Sequence, residues 1–147
     1  MIKDCNIHPT AKIYEPVNLY GCTIGKNVMI GPFVEIQDGV SIGDNSHISS
    51  HSFICKGVTI EDSVFIAHGV MFINDTFNTD SIKNWKLNTT LIKGHARIGS
   101  NSTILPITVG NRAIVGAGSV VTKDVPDDVV VCGNPAKTHP IGVERNA

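Results

Sequence analysis

An all-β chain wound as a parallel β-helix of six-residue repeats is the fold class this sequence predicts. Three observations predict it. Aliphatic residues recur at every sixth position, small residues follow most of them four places later, and Gly or Asn stand at fixed offsets between strands. No helix has a period of six, and a simple strand needs only a period of two. One large and one small inward residue per unit fits a short flat strand followed by a turn. Three units make a triangular coil of about 18 residues, and stacked coils pair their strands in parallel.

The anchor column begins at Ile7, Ile13 and Leu19 and slips by one residue to Ile24. It then runs unbroken through Ile30, Ile36, Ile42, Ile48, Ile54, Ile60, Ile66 and Phe72. It returns at Ile92, Ile98 and Ile104, slips once more to Val109, and continues to Val115 and Val121. The small column contains Ala, Val or Ser throughout, among them Val28, Val34, Val40, Ser46, Ser52, Val64, Ala96, Ser102 and Ser119. Gly25, Gly31, Gly43 and Gly99 directly follow anchors, while Gly39, Gly57 and Gly69 lie three places after theirs. A β-sandwich would need polar alternation with variable turn spacing, which this chain lacks.

The repeat fails between Phe72 and Ile92, so an excursion loop near residues 74–90 is expected. The segment is polar and holds Asn74, Asp75, Phe77, Asp80, Lys86 and the single tryptophan, Trp85. A long loop on a regular scaffold is a natural place for function. Residues 18 apart stack on successive coils. That spacing places Asp38, Lys56 and Asn74 on one corner, Pro32, Ser50 and His68 on a second, and Asp44 and Asp62 on the third.

Composition excludes several classes. The 147 residues are one domain's worth, residues 1–147, with 41% hydrophobic residues and 17% charged ones, which suits a globular chain. Net charge is −1, and no basic tract interleaves with aromatics, so a nucleic-acid partner is not expected. No run reaches the ~20 apolar residues of a membrane span, and the first residues lack the apolar core of a signal peptide. A cytoplasmic protein is expected. Cys5, Cys22, Cys55 and Cys132 have no metal-type spacing and are expected as reduced thiols on or near the core.

Two longer stretches carry a resemblance. Val115 to Lys137, VGAGSVVTKDVPDDVVVCGNPAK, resembles the closing coil of the acetyl-CoA-dependent hexapeptide-repeat acyltransferases. Ile48 to Asp75, ISSHSFICKGVTIEDSVFIAHGVMFIND, is similar to their subfamily that N-acetylates amino sugars carried on UDP or dTDP, as used in lipopolysaccharide and S-layer glycan synthesis. The resemblance covers nearly the whole chain. It implies a left-handed prism, an exception to the usual right-handed crossover. It also implies acetyl-CoA as co-substrate with no metal required, a nucleotide-linked amino sugar as acceptor, and a homotrimer with active sites between subunits.

The same resemblance assigns residues. Gly99 and Ala117 offer backbone groups to the pantetheine arm, and Thr122, Lys123, Pro135 and Lys137 lie near the adenine and phosphate end of CoA. Asn74 and Asp75 match the family's Asn-Asp pair and hold the nucleotide sugar. Two features depart from the pattern. Lys56 stands where several relatives carry Glu, reversing a charge beside Asn74, and ILPITVG is one residue short. A Glu can bind a substrate ammonium, whereas Lys56 would face a carboxylate or phosphate.

Transfer to an amine needs a neutral nucleophile, a proton acceptor and a donor for the thioester oxygen. Histidine is the natural base near neutral pH. His68, outward on its corner just before the loop, is the first catalytic candidate. His51 is the second and a candidate substrate contact, and Asp75 is a candidate for orienting the amine. A route without a side-chain base, in which the leaving thiolate takes the proton, stays open. So do O-acetylation of a sugar or serine hydroxyl, a gamma-carbonic-anhydrase-like metalloenzyme, and a non-catalytic β-helix scaffold. The spacing of the six histidines argues against the metalloenzyme, whose site needs two His five apart.

Overall fold

A computed structural model describes residues 1–140; residues 141–147 of the expected 1–147 unit lie outside the described ones. The chain forms the parallel β-helix that the repeat predicts, with the left-handed wind that the resemblance implies. Its strands, mostly two residues long, lie on three faces with seven, six and eight strands among the described residues. Face one includes Glu35–Ile36, Phe53–Ile54, Met71–Phe72, Thr103–Ile104 and Val120–Val121. Face two includes Ser41–Ile42, Val58–Ile60, Thr90–Ile92 and Thr108–Val109, and face three His47–Ile48, Phe65–Ile66, Arg97–Ile98 and Ile114–Val115.

The anchor isoleucines fill the inside of the prism. Ile30, Ile36, Ile48, Ile54, Ile66, Ile92 and Ile104 are wholly buried, and Phe72 closes the column ahead of the loop. Burying one such side chain stabilises by about 1.5–3 kcal/mol, so the stack of anchors dominates the folding energy. Ile7 and Ile13, on the first coil, are only half-buried. Serine in the small column is satisfied locally. Ser46 Oγ donates to Glu61 O at 2.8 Å and accepts from Val64 N at 3.0 Å. Ser52 repeats the pattern with Ala67 O and Val70 N. A buried hydroxyl here bonds the backbone of one turn on the next coil at two points, so it costs no unmet polar group.

Register follows the slips read in the anchors. Asn6 pairs with Thr23, 17 residues on, whereas Thr23 pairs with Ser41, 18 residues on. Val58 pairs with Thr90, 32 residues on, so the chain leaves the prism after Phe72 and rejoins it in phase. The excursion occupies residues 73–89 and contains one turn of 3-10 helix, Ile82–Asn84, whose first N–H groups are capped by Ser81. The sequence carried no period that would reveal that turn. Nor did it reveal the final strand, Lys137–Thr138, which runs antiparallel to Val130–Cys132.

Tight corners put non-glycine residues into left-handed backbone. Asn27, Asn45 and Asn101 accept this readily, but Phe33, His51, Ser63, His95 and Arg112 also have φ between 55° and 64° or close to it. Stacking gives His51 a structural part as well: its ring lies 4.9 Å from that of Phe33, one coil away.

Candidate functional site

The three corners carry different chemistry. The first, between faces one and two, holds the column of Asp38, Lys56 and Asn74. Lys56 Nζ donates to Asp38 Oδ2 at 2.9 Å, and Asn74 Nδ2 donates to the Lys56 carbonyl at 3.0 Å. Gln37 Oε1 accepts from the Lys56 backbone N–H at 3.0 Å. The Lys56 ammonium holds the Asp38 carboxyl below its usual range, mainly through that hydrogen bond. Lys56 is therefore spoken for by its own chain. The charge reversal at this position is largely neutralised within the column, which reduces its reach toward an acceptor.

Asp75 follows directly. Its Oδ1 accepts from Phe77 N at 2.8 Å, which turns the chain out into the excursion. Asn74 and Asp75 are both half-buried where the loop departs. The loop itself exposes Phe77 at 85% and Ile82 at 95% of their full areas.

The second corner, between faces three and one, carries His68. Its Nδ1 shares a hydrogen bond with Ser50 Oγ at 2.8 Å, one coil away, and its backbone N–H donates to Ser100 Oγ at 3.3 Å. That leaves Nε2 as the outward nitrogen. The 18-residue column had placed Ser50 beside His68, but periodicity does not say that the two side chains bond. Gly99 and Ala117 lie further along this corner. A Cβ on Gly99 would stand 2.5 Å from Ala117 N, so only glycine lets the two coils meet there. On the adjoining face, His47 packs edge-on against Phe65 with ring centres 5.4 Å apart. Burial first, and then the nearby His68, push the His47 pKa down.

Four of the predicted CoA-side residues converge. Thr122, Lys123, Pro135 and Lys137 line one cavity of about 310 Å³, together with Val121, Asp124, Val125 and Ala136. Local geometry explains the convergence. After Gly133 the chain folds back over face one, where Ala136 N donates to Val120 O at 2.8 Å. It then runs antiparallel beside Val130–Cys132 and walls the cavity. Asp124 lines the same cavity, its Oδ1 accepting from Thr108 N at 2.8 Å, and its single negative charge offsets only one of the two lysines. The cavity thus presents two cations and one carboxylate around an apolar floor, a net positive lining that fits an anionic, ring-bearing group.

Not all candidates meet within one chain. His68 stands at one end of the strand Met71–Phe72 and Asn74–Asp75 at the other, on different corners. Gly99 and Ala117 share the His68 corner, while Lys123 lies on the Asn74 corner two coils further on. Among the described residues, no three His, Cys, Asp or Glu side chains stand close enough to share a metal ion, and no helix is long and apolar enough to cross a membrane.

Comparison with known proteins bears on these features. The family model described as bacterial transferase hexapeptide (six repeats) matches residues 21–56, and that of the hexapeptide repeat of succinyl-transferase matches residues 94–123. The bifunctional protein GlmU of Paracoccus denitrificans is 30% identical over 138 residues, covering 84% of this chain and 30% of its own length. GlmU of Alkaliphilus metalliredigens is 37% identical over 120 residues, 81% of this chain and 24% of its own. The chain therefore spans less than a third of the length of these curated relatives. Among solved structures, the hexapeptide-repeat acetyltransferase VCA0836 of Vibrio cholerae, complexed with acetyl-coenzyme A, aligns with a TM-score of 0.71 and 29% identity, over 80% of this chain and 69% of its own. AntD of Bacillus cereus, an N-acyltransferase solved as a mutant with dTDP-4-amino-4,6-dideoxyglucose and coenzyme A, aligns with a TM-score of 0.82 over 91% of this chain and 82% of its own. At 24% identity that likeness is one of fold. With six-residue repeats along the prism and family models matching on both sides of the excursion, the chain belongs to the hexapeptide-repeat transferase family.

Proposed function

We propose that this chain is an acyltransferase that moves an acetyl group from acetyl-CoA to the amino group of a UDP- or dTDP-linked amino sugar, in the cytoplasm, for surface-polysaccharide synthesis. The observation that carries the reading is the joint cavity of Thr122, Lys123, Pro135 and Lys137. Lys123 and Lys137 would meet the phosphates of CoA, and the cavity floor its adenine. Backbone groups at Gly99 and Ala117 would take the pantetheine amides.

The separation of His68 from Asn74 and Asp75 supports a site formed between copies in a homotrimer. One subunit would supply its His68 corner and a neighbour its Asn74 corner. Phe77 and Ile82 on the loop would then be covered by that neighbour. Asn74 and Asp75 would hold the sugar and orient its amine, the free Oδ2 of Asp75 facing the N–H. His68 would receive the amine proton at Nε2 as the new C–N bond forms and the C–S bond breaks, then return it to the departing thiolate. Ser50 fixes the ring for this at Nδ1. A histidine so anchored also suits a hydroxyl acceptor, which needs a base more, so O-acetylation is the second reading.

A free-thiol release assay tests both. Acetyl-CoA is offered with a panel of UDP- and dTDP-linked 3-amino and 4-amino sugars, with serine and a neutral sugar as hydroxyl acceptors. Release with an amino sugar supports the proposal. Release with the hydroxyl acceptors alone selects the second reading, and none with any acceptor overturns both.

A further inference from the structure

The acyl-transfer site uses none of the four thiols, yet two of them are paired. Cys5 Sγ and Cys22 Sγ lie 3.4 Å apart. They are register neighbours, each immediately preceding the paired residues Asn6 and Thr23 on adjacent coils. Asn6 N donates to Cys22 O at 2.9 Å, which locks the two strands side by side. Neighbouring strands stand ~4.8 Å apart, inside the ~4.4–6.8 Å Cα range that a disulfide spans. Closing the sulfurs to bonding distance needs side-chain rotation and no change of register. We propose that Cys5 and Cys22 form an oxidisable dithiol, a modification site that a hydroperoxide converts into a disulfide joining the first two coils.

The two cysteines have different roles. Cys22 is 2% exposed, whereas Cys5 is half-buried and reachable. Burial, and then the bond with Cys5, push the Cys22 thiol up to about 12, which disfavours its thiolate. Cys5 as thiolate attacks the peroxide oxygen; the O–O bond breaks, and Cys5 becomes a sulfenic acid. The Cys22 sulfur then attacks the Cys5 sulfur, its proton leaving with the hydroxyl as water. Two thiols and one hydrogen peroxide yield one disulfide and two waters. Cys55 is 2% exposed, its thiol pushed up to about 11 by burial, and neither it nor Cys132 has a thiol neighbour among the described residues. The chemistry is thereby confined to one pair.

The link would close a loop of about 17 residues, the offset between Cys5 and Cys22, on the coil whose anchors Ile7 and Ile13 are only half-buried. Such a closure restricts the unfolded chain and steadies this end of the prism.

The test treats the full chain with hydrogen peroxide, blocks remaining thiols with N-ethylmaleimide, and maps the peptides by mass. The expected result is a Cys5–Cys22 linked peptide, a loss of about 2 Da, and alkylated Cys55 and Cys132, all reversed by dithiothreitol. The thermal midpoint should rise by about 5–10 °C on oxidation. In Cys22→Ser, Cys5 should stop at the sulfenic acid, trapped by dimedone, with no link. Equal alkylation of Cys5 and Cys22 before and after peroxide overturns the proposal. So does oxidation of Cys5 to sulfinic acid in the unsubstituted chain without a link, and that chain decides even if Cys22→Ser fails to fold.

Discussion

Replacing Gly99 by alanine should destabilise the prism, and the same change at Gly94 should not. At Gly99 the new methyl would stand 2.5 Å from Ala117 N, 2.8 Å from Ala117 Cα and 2.9 Å from Gly116 C, all backbone atoms of the next coil. Non-bonded carbons settle at ~3.5–4.0 Å, so the coils must part by several tenths of an ångström to about 1 Å. Overpacking of this kind costs about 1–3 kcal/mol. The bonds Gly99 N to Val115 O and Gly118 N to Ser100 O, both 2.8 Å, bridge the strained interval. Weakening one adds about 1 kcal/mol. A total of about 2–4 kcal/mol corresponds to a fall of roughly 5–12 °C in thermal midpoint for a chain of this size. At Gly94 the nearest atom to a Cβ is Asp62 O at 3.5 Å, and the backbone is not left-handed. Alanine there restricts only the unfolded chain and should be neutral or stabilise by up to about 1 kcal/mol. Circular dichroism melts of both variants and the parent, at one protein concentration, decide it. A Gly99→Ala midpoint within about 1 °C of the parent, or an equal fall for Gly94→Ala, would refute the reasoning.

Lys123→Ala with Lys137→Ala should weaken acetyl-CoA binding about 5–30-fold by calorimetry, from two exposed charge contacts of ~0.5–1 kcal/mol each. Pantetheine binding should be untouched, and equal loss for both ligands would argue against a phosphate role. His68→Ala should cut turnover ~10²–10⁴-fold with acceptor binding intact if it is the base. Ser50→Ala should cut turnover less, and an unchanged rate in His68→Ala assigns the proton to the thiolate. His47, whose pKa lies below its ordinary 6.5, favours the folded state when neutral. The unfolded chain takes up the proton first, so this stabilisation is complete above pH 6.5 and is lost as pH falls through the folded-state value. His47→Gln should flatten that part of the stability–pH curve, measured as thermal midpoint between pH 5 and pH 8; an unaltered slope would place the effect elsewhere.

Much of this architecture was legible in the chain before any coordinates. Periodicity sees what repeats: the anchors Ile24 to Phe72, the slip before Ile24, the excursion, and the stacking of Asp38, Lys56 and Asn74 all follow from counting, because each coil imposes the same inward geometry on its residues. It is blind to what does not repeat. The Ile82–Asn84 turn and the antiparallel return of Lys137–Thr138 each depend on contacts made once.

The sequence by itself determined the prism, its three faces and the residue types at each corner, since side-chain size and turn chemistry act locally and identically on every coil. Only the tertiary structure decided which of those residues meet. It tied Lys56 to Asp38 and His68 to Ser50, brought Lys123 and Lys137 to one cavity, and kept His68 apart from Asp75 on a single chain. The reason is physical: hydrogen bonds and ion pairs depend on distances of a few tenths of an ångström between side chains, whereas a six-residue period specifies only the corner from which each side chain starts.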